Sequence, residues 1–246
     1  MIDRWLPVAA SAHAASLDAV LREMHWHMLV IFVLWLGLLI WALVRFRAGA
    51  NPEARQQDVR GLWPALAIGA VILGDIVILA TEALPAWSAR MLPPPAGAAP
   101  LEVRITAEQY AWNIHYPGPD AVFGRTDTAL ISASNPVGID RDDAAARDDI
   151  GLLNILTLPL DRMVVIHLTS RDVVHSFTLA QMRVKQDAVP GLVARVWFTP
   201  TAPGDWEISC SQLCGLGHYR MRGEYHVVSA ANWDGWLASE LARLSR

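Results

Sequence analysis

Two long apolar runs in the first third of the chain restrict what it can fold into. Residues 26–44 contain His27 as their only ionisable group. At ~1.5 Å per helical residue, a run of this length is about enough to cross a hydrocarbon core of ~30 Å. Residues 63–84 form the second run, opening on Pro64, where proline suits the first turn of a helix. Together they predict a transmembrane hairpin. A signal peptide is the competing reading of the first run. Its late start, its length and the lack of a small-residue cleavage site in its flank speak against that, leaving a very short signal ending near Ala15 as the alternative.

Charge orients the hairpin. The connecting loop carries Arg45, Arg47, Arg55 and Arg60 against Glu53 and Asp58, whereas the outer flanks offer Arg22 and Arg90. The arginine excess puts the loop in the cytoplasm and both chain ends on the opposite side, a bacterial periplasm or a mitochondrial intermembrane space. Asp75 sits near the middle of the second run, with Glu82 seven residues on along the same helical face. A carboxylate in hydrocarbon costs roughly 2.5 to 3.5 kcal/mol on insertion scales. Asp75 is therefore expected to meet a neighbouring subunit or to serve a proton path, and either role calls for a larger membrane partner.

Beyond the hairpin the pattern changes. Residues 91–100, with Pro93, Pro94, Pro95 and Pro100, read as a stiff linker. Segments 101–106, 163–169, 194–199, 205–210 and 223–228 alternate or run β-branched between Pro and Gly turns, which predicts an antiparallel sandwich or barrel over 101–230. The aspartate-rich insert 135–149 reads as a solvated loop. The tail 231–246 places Trp233, Trp236, Leu237, Leu241 and Leu244 at helical spacing. Residues 1–25 form an undistinguished segment outside the membrane. The chain is 53% hydrophobic and 18% charged, with mean hydropathy +0.28, which excludes a disordered or nucleic-acid-coating protein. Through Arg90 there are 7 basic and 7 acidic residues; after it, 13 and 17. The net charge of -4 thus lies wholly in the soluble part, against a nucleic-acid partner and in favour of a basic or small one.

The chemistry is concentrated in residues 210–221. Cys210, Cys214, His218 and Met221 bring two thiols, an imidazole and a thioether into twelve residues, and His175 is a suitable distant donor. Soft sulfur with imidazole selects copper or zinc over hard cations. A single-copper electron-transfer site needs only one cysteine, whereas two bridging thiolates can hold two metals, each with a terminal histidine. A Cys2His2 zinc site uses the same donors without Met221. A plain Cys210–Cys214 disulfide is the other alternative. His115, His167 and His226 lack such company and are read as structural.

These residues resemble subunit II of the haem-copper cytochrome c oxidases. The resemblance rests on the hairpin, on residues 172–177, on Lys185-Gln186-Asp187-Ala188-Val189-Pro190-Gly191 and on the cysteine loop, in the family's order. It implies a membrane-anchored, all-β protein: a two-helix hairpin followed by a cupredoxin-like Greek-key β-barrel carrying the dinuclear CuA centre. By that similarity, Cys210 and Cys214 bridge two copper ions, His175 and His218 are terminal ligands, and Met221 and the Gln212 carbonyl are weak ligands. Electrons are then expected to come from cytochrome c and leave for a haem of the large subunit I, where oxygen is reduced. The implied location is the bacterial cytoplasmic or mitochondrial inner membrane.

Three positions depart from the family pattern. Many relatives place a magnesium-holding glutamate where this chain has Gln212. The segment Gln109-Tyr110-Ala111-Trp112 resembles Gln-Trp-x-Trp, so Tyr110 replaces the tryptophan associated with electron arrival, and Tyr110 and Trp112 are both candidates. Arg60 aligns with an acid that relatives often place at the mouth of a proton channel. The rival readings are the small subunit of a CuA-type nitric oxide reductase and a free membrane-tethered copper carrier. There is no Cys-x-x-Cys-His for a covalent haem.

Overall fold

Along β1 (Leu101–Glu108), Leu101, Val103, Ile105 and Ala107 are buried and alternate with more exposed neighbours, which commits one face of the strand to a core. This strand belongs to a β-domain in the computed structural model, which describes residues 2–53, 61–92, 97 and 99–245. The other strands are β2 (Ala111–Tyr116), β3 (Ile150–Leu153), β4 (Ile155–Pro159), β5 (Val164–Ser170), β6 (His175–Leu179), β7 (Val184–Ala188), β8 (Ala194–Phe198), β9 (Gly204–Cys210) and β10 (Arg222–Val228). They form two five-stranded sheets, ordered β3-β2-β1-β5-β8 and β4-β10-β9-β6-β7. Ile105, Ile114, Leu158, Ile166, Phe177 and Phe198 are fully buried in the core.

The sheets are mixed rather than wholly antiparallel. β1 pairs with β5, and β4 with β10, in parallel. A parallel neighbour needs a long crossover, and the insert with β3 and β4 supplies one between β1 and β5. The alternation rule also passed over β2 and β6. Both are buried at nearly every position, so neither shows a polar face.

The insert is no simple solvated loop. Ile139, Ala146 and Asp149 are buried, and Asp149 Oδ2 accepts from His115 Nε2 at 2.7 Å and from the Gly124 N–H at 3.0 Å. Burial of a carboxylate demands such partners, so Asp149 pins the insert to β2. Asp140, Asp142 and Asp143 instead organise local turns and an ion pair with Arg125.

The helical unit contains α1 (Ala14–Arg45) and a second helix formed by α2 (Leu62–Ile78), a π turn at Leu79–Ala83 and α3 (Leu84–Met91). Ala14–Arg45 and Leu62–Arg90 are each long and apolar enough to cross a membrane. Arg55, Asp58, Arg60, Pro93, Pro94 and Pro95 lie outside the described residues. Asp75 has a partner inside the hairpin that the sequence did not reveal. Its Oδ1 lies 3.0 Å from His27 Nε2, at ion-pair distance but without hydrogen-bond alignment. Gly74 makes room for the imidazole, since a Cβ there would fall 2.3 Å from His27 Cε1. The Asp75 side chain nevertheless remains 65% exposed, so two helices alone do not cover it.

Residues Pro7–Ala15 belong with the β-domain, although nothing in their sequence announces it. Ala10 N–H donates to Gln181 O at 2.9 Å, Thr201 N–H to Ala10 O at 2.8 Å and Ser11 Oγ to Met182 O at 2.8 Å. At the other end, α4 (Ala230–Leu244) is capped by Ser229 and lays Trp233 and Trp236 against Tyr116. The buried Asp149 contact can be tested by unfolding the detergent-solubilised chain. Asp149→Ala leaves His115 without its acceptor and should cost about 3 kcal/mol. Unchanged stability would return the insert to a solvated loop.

Candidate metal centre

Sheet register brings the distant histidine to the cysteine loop. β9 pairs with β6 so that Cys210 faces Phe177, and His175 lies two residues away on the same face of β6. β9 also pairs with β10, so the chain must turn back between Cys210 and Arg222. That turn holds Gln212, Cys214, His218 and Met221. It is closed by Ser211 N–H to Ser176 O at 2.9 Å, His218 N–H to Gly215 O at 3.1 Å and Met221 N–H to His218 O at 3.1 Å.

The donors converge. Cys210 Sγ and Cys214 Sγ lie 3.8 Å apart, and Cys210 Sγ is 3.2 Å from the Gln212 carbonyl oxygen. Cys214 Sγ is 3.6 Å from both His218 Nδ1 and Met221 Sδ. His175 Nδ1 is 3.1 Å from Met221 Sδ. Among the described residues, His175, Cys210 and Cys214 form the group of metal-binding side chains whose donor atoms all lie within 4.8 Å of one another. The cysteines are free thiols, well beyond the ~2.05 Å of an S–S bond. Burial pushes the Cys214 thiol up to about 11, and the adjacent Cys210 sulfur adds to this. Metal bound at thiolates would therefore displace protons.

Asp172, which sequence reasoning did not single out for a role, fixes the imidazole. Its Oδ1 accepts from His175 Nε2 at 2.9 Å, leaving Nδ1 turned toward the sulfurs. Burial opposes the charged form of Asp172, but hydrogen bonds from His175 and from the backbone N–H groups of Gln109 and Val173 outweigh it. Its pKa lies below the ordinary carboxylate value. A carboxylate behind a ligand imidazole is the usual way a metal site sets tautomer and ring orientation. The signal was available: aspartate three residues before the histidine.

The two aromatic candidates occupy different places. Trp112 is fully buried, edge-on to Phe177 at 5.3 Å and to His175 at 6.2 Å between ring centroids. Tyr110 is half-buried and lies over the cysteine loop. A Cβ on Gly217 would fall 2.5 Å from the Tyr110 ring, and one on Gly215, whose φ is +136°, 2.7 Å from its hydroxyl. The Gln109–Tyr110 peptide is cis. His115, His167 and His226 sit elsewhere, beside Asp149, Glu102 and Asp205 respectively.

A family model described as cytochrome c oxidase subunit II, periplasmic domain, matches residues 101–228. The chain belongs to the cytochrome c oxidase subunit II family. It is 30% identical over 243 residues to an alternative cytochrome c oxidase subunit 2 of Bradyrhizobium diazoefficiens, covering 96% of this chain and 83% of the relative. It is 26% identical over 258 residues to a cytochrome c oxidase subunit 2 of Synechocystis, covering 95% and 75%. The solved periplasmic domain of subunit II of cytochrome oxidase from Bradyrhizobium japonicum is 21% identical and covers 62% of this chain and 99% of its own, with TM-score 0.46.

As a member of the cytochrome c oxidase subunit II family, the chain is an electron-transfer subunit of a haem-copper oxidase, with two membrane-capable helices and a cupredoxin-like domain. Members of that family carry CuA copper, and the soft donor set found here fits such an ion. The thiol state is directly measurable. Chain purified anaerobically with chelator and then denatured should titrate for two free thiols, and a result of none would establish the disulfide instead.

Proposed function

We propose that Cys210 and Cys214 bridge two copper ions, with His175 and His218 as terminal ligands and Met221 and the Gln212 carbonyl as weak ones. The observation that carries this reading is the cluster itself: two thiols 3.8 Å apart, with an imidazole, a thioether and a carbonyl oxygen each within 3.6 Å of a cysteine sulfur. A thioether inside the cluster favours copper over the zinc alternative. Bound copper supplies a one-electron redox couple. The chain's own task is to hold the donors still, so that little nuclear movement accompanies a change of charge. Sheet pairing, the Asp172–His175 bond and the buried Trp112 and Phe177 rings perform it.

Electrons arrive, on this reading, at Tyr110 rather than Trp112. Tyr110 is partly open to solvent and touches the metal loop, whereas a docked donor cannot reach Trp112. A basic cytochrome c suits the acidic soluble part, because opposite charge speeds encounter. The receiving group is a haem of the large subunit, and the location is a bacterial cytoplasmic membrane with the β-domain in the periplasm, the mitochondrial inner membrane being the alternative. Asp75 is read as facing that large subunit, since its carboxylate is mostly uncovered by the hairpin. Gln212 offers no carboxylate for a magnesium ion. Kinship with oxidase subunits does not favour the nitric oxide reductase, and it gives a free copper carrier no support.

Two variants and one purification test these assignments. Metal analysis of copper-loaded full-length chain should give two coppers per chain in wild type and in Met221→Leu, whose reduction potential should change. Cys214→Ser should hold one or none. Two coppers in Cys214→Ser would remove the bridging role. Mild-detergent purification should bring down a large subunit with copper beside its high-spin haem. Non-haem iron there would mark a nitric oxide reductase.

A further inference from the structure

The turn joining β1 to β2 touches the metal loop through two adjacent residues. The side-chain amide of Gln109 donates to the carbonyl oxygen of Cys214 at 2.6 Å. Its backbone N–H donates to Asp172 Oδ2 at 2.7 Å, and the other oxygen of that carboxylate holds His175. Tyr110, the next residue, packs on Gly217, and Gly215 must lack a side chain because a Cβ would fall 2.6 Å from Gln109 Nε2. One glutamine thus joins a cysteine of the cluster, the support of a histidine and the aromatic ring at the surface. The residue is exposed and sits on a turn, where an amide ordinarily finds all its hydrogen bonds in water. Here it reaches 105 residues along the chain to a particular carbonyl.

We infer that Gln109 is a positioning residue for electron arrival. Its amide ties the backbone of Cys214 to the turn that carries Tyr110, so that the ring and the cysteine sulfur keep a fixed separation. Besides this bond, Tyr110 packs against the edge of the hydrophobic core and against Gly215 and Gly217, and the two glycines offer no side chain to tie the ring to the cysteine loop. The inference rests on the copper reading above, through Cys214, and goes beyond it by assigning a role to a residue that donates no electron pair to a metal. Gln109→Met keeps the length and volume of the side chain while removing its donor, so it separates the hydrogen bond from simple filling of space.

The test uses copper-loaded full-length chain in detergent as wild type, Gln109→Met, Tyr110→Ala and the double variant. All should hold two coppers with the wild-type spin-resonance pattern. Reduction by a photoactivated tris-bipyridyl ruthenium complex should slow about tenfold in Gln109→Met, within the roughly hundredfold that a 1 Å misplacement of a reacting group can cost. The double variant should be no slower than Tyr110→Ala alone, because the two residues act as one unit. A wild-type rate in Gln109→Met, or slowing that multiplies independently with that of Tyr110→Ala, would overturn the inference. Lost copper or an altered pattern in Gln109→Met would make the amide a structural support of the cluster and overturn it too. If the wild-type chain itself holds no copper pair, it is the copper reading that fails.

Discussion

Soft donors drawn from two separate stretches of backbone must share one pocket, and the pairing of β9 with both β6 and β10 brings them there. The antiparallel register of β6 and β9 fixes where His175 stands relative to Cys210. The return of the chain into β10 obliges the intervening loop to fold over the same end of the sheet, carrying Cys214, His218 and Met221 with it. Burial raises the Cys214 thiol pKa, and the Asp172 carboxylate sets the His175 ring from behind. Protein contacts thus help to shape the pocket. Such rigidity lets a centre exchange one electron without large rearrangement.

The membrane part is organised by a similar problem of uncompensated groups. Asp75 lies in an apolar helix, and His27 partly answers it from the other one. Since one side chain cannot cover the carboxylate, the hairpin presents a polar point on an apolar surface, suited to a helix of a larger membrane subunit. The β-domain, for its part, takes in Pro7–Ala15 from ahead of the first helix, so the segments on both sides of the hairpin contribute to one fold.

The sequence made the donor cluster legible because such clustering is largely local: four of the side-chain donors fall within twelve residues, and the fifth stands in a recognisable segment. The two apolar helices were equally plain, since their hydropathy is a property of composition. What escaped was whatever depends on tertiary partners. β2 and β6 carry no alternation because both faces are buried. The parallel pairs β1–β5 and β4–β10 follow from how distant segments cross, which no local pattern encodes. Asp149 looks like any loop aspartate until His115 and the Gly124 N–H are seen around it. Gln109 was visible as a letter but not as a support, because a hydrogen bond over 105 residues leaves no mark on periodicity. The different burial of Tyr110 and Trp112 likewise could not be read from two aromatic residues two positions apart.

The thiolate-bridged copper pair is the claim on which the rest hangs, and the most direct measurement is electron spin resonance of the oxidised, copper-loaded full-length chain. One unpaired electron shared over two equivalent copper nuclei gives hyperfine structure from both, and that pattern is the predicted result. Splitting from a single copper nucleus, or a silent chain loaded with zinc, would contradict it.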